Sequence, residues 1–114
     1  MPNYLLQVAY TPEAWTTMTK KPQDRLAAVR PAIEKLGGKL ETGYFAFGEY
    51  DIIALISMKT NVDAAAFAIA AAAGGGVSKI KTTVLMTTAE AMDAMKKAGA
   101  SAYRAPSARA ASKR

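Results

Sequence analysis

The chain has 114 residues, 51% hydrophobic and 21% charged, which fits one globular domain with one modest core. It contains neither cysteine nor histidine. That excludes disulfides, thiolate nucleophiles, thiolate metal sites and a Ser-His-Asp triad within one chain, and it removes the usual neutral-pH base and the commonest metal ligand. Catalysis would have to use Asp, Glu, Tyr, Lys, Arg or backbone groups, and no metal or cofactor is expected.

No run approaches the roughly 18 apolar residues of a membrane span, so no membrane partner is expected. Met1-Pro2-Asn3 lacks the basic start and apolar stretch of a signal peptide, which makes the cytoplasm the default location. The net charge of +6 is uneven. Residues 100–114 carry Arg104, Arg109, Lys113 and Arg114 and no acid, so the remainder is nearly balanced.

Residues 4–10 (YLLQVAY) read as a strand, with Tyr4, Leu6, Val8 and Tyr10 on one face and Leu5, Gln7 and Ala9 on the other. An amphipathic helical region follows over about residues 12–36, its clearest stripe being Leu26, Val29, Ile33 and Leu36. Pro22 suits a first-turn position with Asp24 near the helix N-terminus, and Pro31 implies a bend. Gly37-Gly38 ends the helix. Residues 39–47 and 50–58 read as a hairpin around the Gly48-Glu49-Tyr50-Asp51 turn.

Thr60-Asn61-Val62-Asp63 starts an alanine-rich helix that runs to Ala73 and stops at Gly74-Gly75-Gly76. A fourth strand covers residues 77–86. Thr87-Thr88-Ala89-Glu90 matches a capping box, opening a short helix to about Ala98 with Gly99 as its stop. Two units follow: a folded domain over residues 1–99 and a flexible basic Ala/Ser/Arg tail over residues 100–114.

The order βαββαβ plus a terminal helix is the ferredoxin-like α+β arrangement, a four-stranded antiparallel sheet with helices on one face. With Leu5, Ile52 or Ile53, Tyr44 or Phe45, and Leu85 available for the other face, that surface is too apolar to leave wet. A second copy of the chain is the economical cover, so a homodimer or larger oligomer is expected.

Residues 22–40 (PQDRLAAVRPAIEKLGGKL), then Gly48-Glu49-Tyr50-Asp51-Ile52, then Lys81-Thr82-Thr83, resemble the GYD domain family. The likeness spans about residues 3–95. The resemblance implies membership of the dimeric α+β barrel proteins, in which two ferredoxin-like sheets face each other, and it brings no assigned activity. Family positions carry over as Gly48, Tyr50 and Asp51, with Arg25 and Gly38 as weaker matches. Residues 12–19 (PEAWTTMT), Pro31, the triple glycine and the basic tail depart from the family pattern, so a ligand preference set by the first loop would differ.

Asp51 is an acid at the mouth of a strand that otherwise looks buried. It suits a general base or a ligand-orienting carboxylate. It also suits a structural role, accepting backbone N–H bonds or pairing with Arg25 or a lysine. Tyr50 and Tyr44 are candidate hydrogen-bond donors to a ligand and also ordinary strand aromatics. Gln7 either lines a cavity or faces solvent at a sheet edge. Trp15 either lids a pocket or packs at a helix start, and Arg25 completes the candidate binding set.

Gly74-Gly75-Gly76 precedes a strand and lacks nucleotide-loop spacing. The tail is a thin nucleic-acid signal, and nucleic acid is not an expected partner.

Two functions follow. One is a homo-oligomeric small-molecule-binding or accessory module with an apolar cavity at the sheet face and a small apolar or aromatic ligand. The other is a cofactor-independent enzyme, monooxygenase- or isomerase-like, as the resemblance to dimeric α+β barrel proteins allows. Its substrate would be small and aromatic or polyketide-like, with Asp51 as base and Tyr50 or Tyr44 steadying an enolate oxygen.

Overall fold

The computed structural model describes residues 1–106. The chain runs β1 (Asn3–Tyr10), α1 (Pro12–Lys20), α2 (Arg25–Lys35), β2 (Lys39–Phe45), β3 (Ile52–Ser57), α3 (Asn61–Ala73), β4 (Val77–Leu85) and α4 (Thr88–Ala100). The four strands form one sheet in the order β2-β3-β1-β4, and every neighbouring pair is antiparallel. This is the expected ferredoxin-like order, with α1 inserted ahead of the first crossover helix and α4 appended.

Alternation fixes which face is buried, because successive strand residues point to opposite sides of a sheet. Tyr4, Leu6 and Val8 of β1 stand opposite Ile56, Ala54 and Ile52 of β3, and all six are buried toward the helices. Ile33 from α2, Ala64 and Phe67 from α3, Leu40 and Met58 complete that core. Tyr4 keeps its hydroxyl satisfied by donating to Asn61 Oδ1 at 2.6 Å, which ties β1 to the start of α3.

The other face stays open in one chain. Leu5 lies opposite Leu55, Gln7 opposite Ile53, and all four side chains are only half-buried. Tyr44, across from Ile53 on β2, is 69% exposed.

The expected long helix is two helices. Thr11 caps α1, with Pro12 in its first turn. Pro22 lies in the connection and not in a first turn, because helix α2 begins only at Arg25, where Asp24 accepts from the Ala27 N–H at 3.1 Å. A proline also disfavours a helical residue before it, and Lys21 is accordingly non-helical (φ −137°, ψ 85°). Helix α2 continues through Pro31.

Helix α2 ends as the double glycine implies. Gly37 sits at φ 83°, its N–H donating to the Glu34 carbonyl at 2.9 Å while the Gly38 N–H donates to Ile33 at 3.0 Å. Both hairpin strands are shorter than read, stopping at Phe45 and starting at Ile52.

Gly99 does not stop α4 but lies inside it. The left-handed residue that follows this helix is Ala102, at φ 59°. The Thr87–Glu90 capping box is present, yet α4 buries none of its residues. Of the expected tail, residues 107–114 lie outside the described residues. No helix among the described residues is long and apolar enough to cross a membrane.

Candidate functional site

Helix α2 lies along β2 and α3 along β4, the two outer strands of the sheet. Neighbouring strands are about 4.8 Å apart, so the outer pair stands roughly 14 Å apart. Packed helices approach to about 8–10 Å, so several ångström between α2 and α3 must be filled by side chains or left open. Alanines Ala28, Ala32 and Ala70 face that space and do not fill it.

The result is a partly open cavity of about 470 Å³. Leu6, Val8 and Ala54 of the two central strands form its floor, and Val29 and Phe67 form part of its walls. Thr17 and Met18 from α1, together with Tyr10, Gln23 and Arg25, line it as well.

Tyr10 is tied to Asp51, and Arg25 acts on Tyr10 in turn. The backbone of Asp51 is tied on both sides: its N–H donates to the Val8 carbonyl and its carbonyl accepts from the Ala46 N–H, each at 2.8 Å. Its Oδ2 accepts from the Tyr10 N–H at 2.9 Å and from Trp15 Nε1 at 3.3 Å. One carboxylate thus joins the end of β1, the first turn of α1 and the start of β3. No cation stands within ion-pair distance of it among the described residues.

Trp15, 37% exposed, meets Tyr10 edge-on with ring centroids 5.8 Å apart and planes at 86°. Arg25 is the first residue of α2, half-buried, with Nη1 donating to Gln23 Oε1 at 2.9 Å. Its guanidinium also acts on the Tyr10 phenol. Burial pushes the pKa of that phenol up, the neighbouring Arg25 charge and hydrogen bond pull against the rise, and Asp51 adds to it. Tyr10 therefore keeps its proton at neutral pH and is available as a donor.

The remaining candidates lie elsewhere. The Lys79 ammonium sits 5.1 Å from the Tyr50 ring centre and 3.3 Å from Glu49 Oε2. Gln7 and Tyr44 belong to the open sheet face, on either side of Ile53. Of the residues expected to bind a ligand, Arg25 lines the cavity and Trp15 packs on a tyrosine that does; Gln7, Tyr44, Tyr50 and Asp51 do not line it. The sequence pattern alone does not single out Tyr10. Its signal was a polar-tipped aromatic ending the inward face of β1, immediately before the Thr-Pro helix start.

The sequence profile of the GYD domain matches residues 4–95. This chain belongs to the GYD domain family. Its Gly-x-Tyr-Asp turn contributes the Asp51 tie just described, whereas Gly48 has open space where a Cβ would be built and no left-handed φ. The GYD chain is also similar to a solved structure, the crystal structure of FFRP-DM1, with a TM-score of 0.51 and 16% identity, covering 75% of this chain and 100% of that one. That likeness concerns the fold. A comparison with curated proteins finds no match.

Proposed function

We propose that this GYD-domain chain is a homo-oligomeric small-molecule-binding module. The observation that carries the proposal is the apolar cavity of about 470 Å³ between the central strands and helices α2 and α3. Its size falls in the range of roughly 300–1,000 Å³ typical of ligand sites, and a few polar groups converge on an apolar lining as such sites require.

Assembly is supported by the open sheet face, where Leu5, Ile53 and Leu55 are half-buried and Tyr44 exposed. A second copy applied there would remove this contiguous apolar surface from water.

An enzyme with Asp51 as base has weaker support. One oxygen of that carboxylate already accepts two N–H groups, and Asp51 does not line the cavity.

Native mass spectrometry of protein purified gently from its source cells, repeated after denaturation, tests both parts together. An assembly that releases a small organic molecule on denaturation is the expected result. A bare monomer that also takes up no apolar fluorescent dye would overturn the proposal.

A further inference from the structure

Arg25 is the one charged residue lining the cavity among the described residues. No carboxylate lies within ion-pair distance of it there. A guanidinium presents five N–H donors in a planar fork that matches a carboxylate. Arg25 gives one donor to Gln23 Oε1 and reaches the Tyr10 phenol with another, which leaves the rest of the fork to meet a ligand. The Tyr10 hydroxyl, a protonated donor, lines the same cavity close enough to Arg25 to feel its charge. Apart from Thr17, Gln23, Gly74 and Gly76, the rest of the lining is apolar.

Taking the binding role proposed above as given, we infer that the ligand is an apolar molecule ending in a single carboxylate. Arg25 and Tyr10 donate to its oxygens, and its body lies over Leu6, Val8 and Ala54. A cationic ligand would meet Arg25 unfavourably, and a neutral one would leave the guanidinium without a counter-charge in the cavity. A dianion is disfavoured because two acids stand nearby. Asp51 acts on Tyr10, and Asp24 caps α2. Both acids direct an oxygen at backbone N–H groups, and neither lines the cavity. A monoanion matches one cation with its neighbours already engaged.

The test uses the full chain and two pairs of probes: octanoate with octanamide, and 2-naphthoate with 2-naphthamide. Each acid differs from its amide only in the head group, and binding is followed by calorimetry and by the fluorescence of Trp15. At least one acid is expected to bind about tenfold or more tighter than its amide, the scale of one charge-assisted hydrogen bond. Arg25→Met should bring the acid down to the amide's affinity and leave amide binding within about twofold, while Arg25→Lys retains part of the preference. Equal binding of acid and amide by the unmodified chain would overturn the carboxylate assignment and leave the cavity's binding role standing. Failure of all four probes to bind would overturn both. The comparison within the unmodified chain decides the question even if a variant folds poorly.

Discussion

Replacing Asp51 with alanine leaves the Tyr10 N–H and the Trp15 indole N–H without their shared acceptor. The 2.9 Å bond from Tyr10 is short and charge-assisted, whereas the 3.3 Å bond from Trp15 is longer and exposed, so the first dominates. Hydrogen bonds to charged groups contribute about 1.5–3 kcal/mol, and a stranded donor costs about 1–3 kcal/mol. Asp51 is half-buried, so water recovers part of that loss and about 2 kcal/mol remains. At about 4–8 °C per kcal/mol for a domain of this size, the melting temperature should fall by roughly 10 °C. Asp51→Asn keeps an acceptor oxygen in place and loses the charge alone, which should cost about 0.5–1 kcal/mol.

Urea or thermal unfolding followed by Trp15 emission is the direct assay, because Trp15 is the only tryptophan in the chain and is itself a partner of Asp51. The alanine variant should also show red-shifted emission before unfolding begins. Equal losses for alanine and asparagine, or a loss below about 0.5 kcal/mol for alanine, would refute the structural assignment of this carboxylate.

Two further predictions concern the glycines and Tyr10. A Cβ on Gly38 would collide with Met58 Sδ and stand 2.6 Å from the Ser57 carbonyl oxygen. The thioether can turn away but the backbone cannot, so Gly38→Ala should cost about 2–3 kcal/mol. Gly48→Ala meets nothing within 4 Å and should change stability by less than about 0.5 kcal/mol; equal effects in denaturant titrations would contradict this steric account. For Tyr10, the folded phenol should ionise above its ordinary value of 10.0. Because the folded pKa is the raised one, its contribution is complete below the unfolded value and is lost as pH rises through the folded value. Stability should therefore fall above about pH 10, and Tyr10→Phe should remove that component. Absorbance titration at alkaline pH checks the assignment, and a Tyr10 signal at or below the ordinary range would refute it.

Strand order was legible because the apolar runs alternate cleanly and the breaks between them carry glycine, proline or capping residues. The split between α1 and α2 was not. Residues 11–20 hold four threonines, poor helix formers that weaken any reading of that stretch as a helix of its own. The folded chain shows what compensates. Thr16, Thr17 and Thr19 each donate their hydroxyl to the carbonyl four residues back, and Thr11 caps the first turn, so every one of those side chains is satisfied within the helix. Gly99 misled for the converse reason. A glycine is permitted to end a helix but not obliged to, and here the chain takes its left-handed turn at Ala102 instead.

The site divides along the same line between local and distant information. Asp51 stood out as an acid before a buried strand, but what its carboxylate meets lies 41 and 36 residues away, at Tyr10 and Trp15. No local pattern encodes those contacts. The alanines pose the sharper lesson. Read along the chain, an alanine-rich helix implies close approach to whatever it packs on. In the fold, however, the position of α2 and α3 is set by the outer strands beneath them and by the two large residues, Ile33 and Phe67, that reach the core. With that spacing fixed, a small side chain yields a void and not a contact, and Ala28, Ala32 and Ala70 become cavity wall. Arg25 then acquires its significance from position: at the first residue of α2 it is, among the described residues, the one charge bordering that void, beside a tyrosine from the far end of β1. The same reasoning implies that filling the gap, with leucine at 28 and 70 together, should abolish ligand uptake without disturbing the sheet.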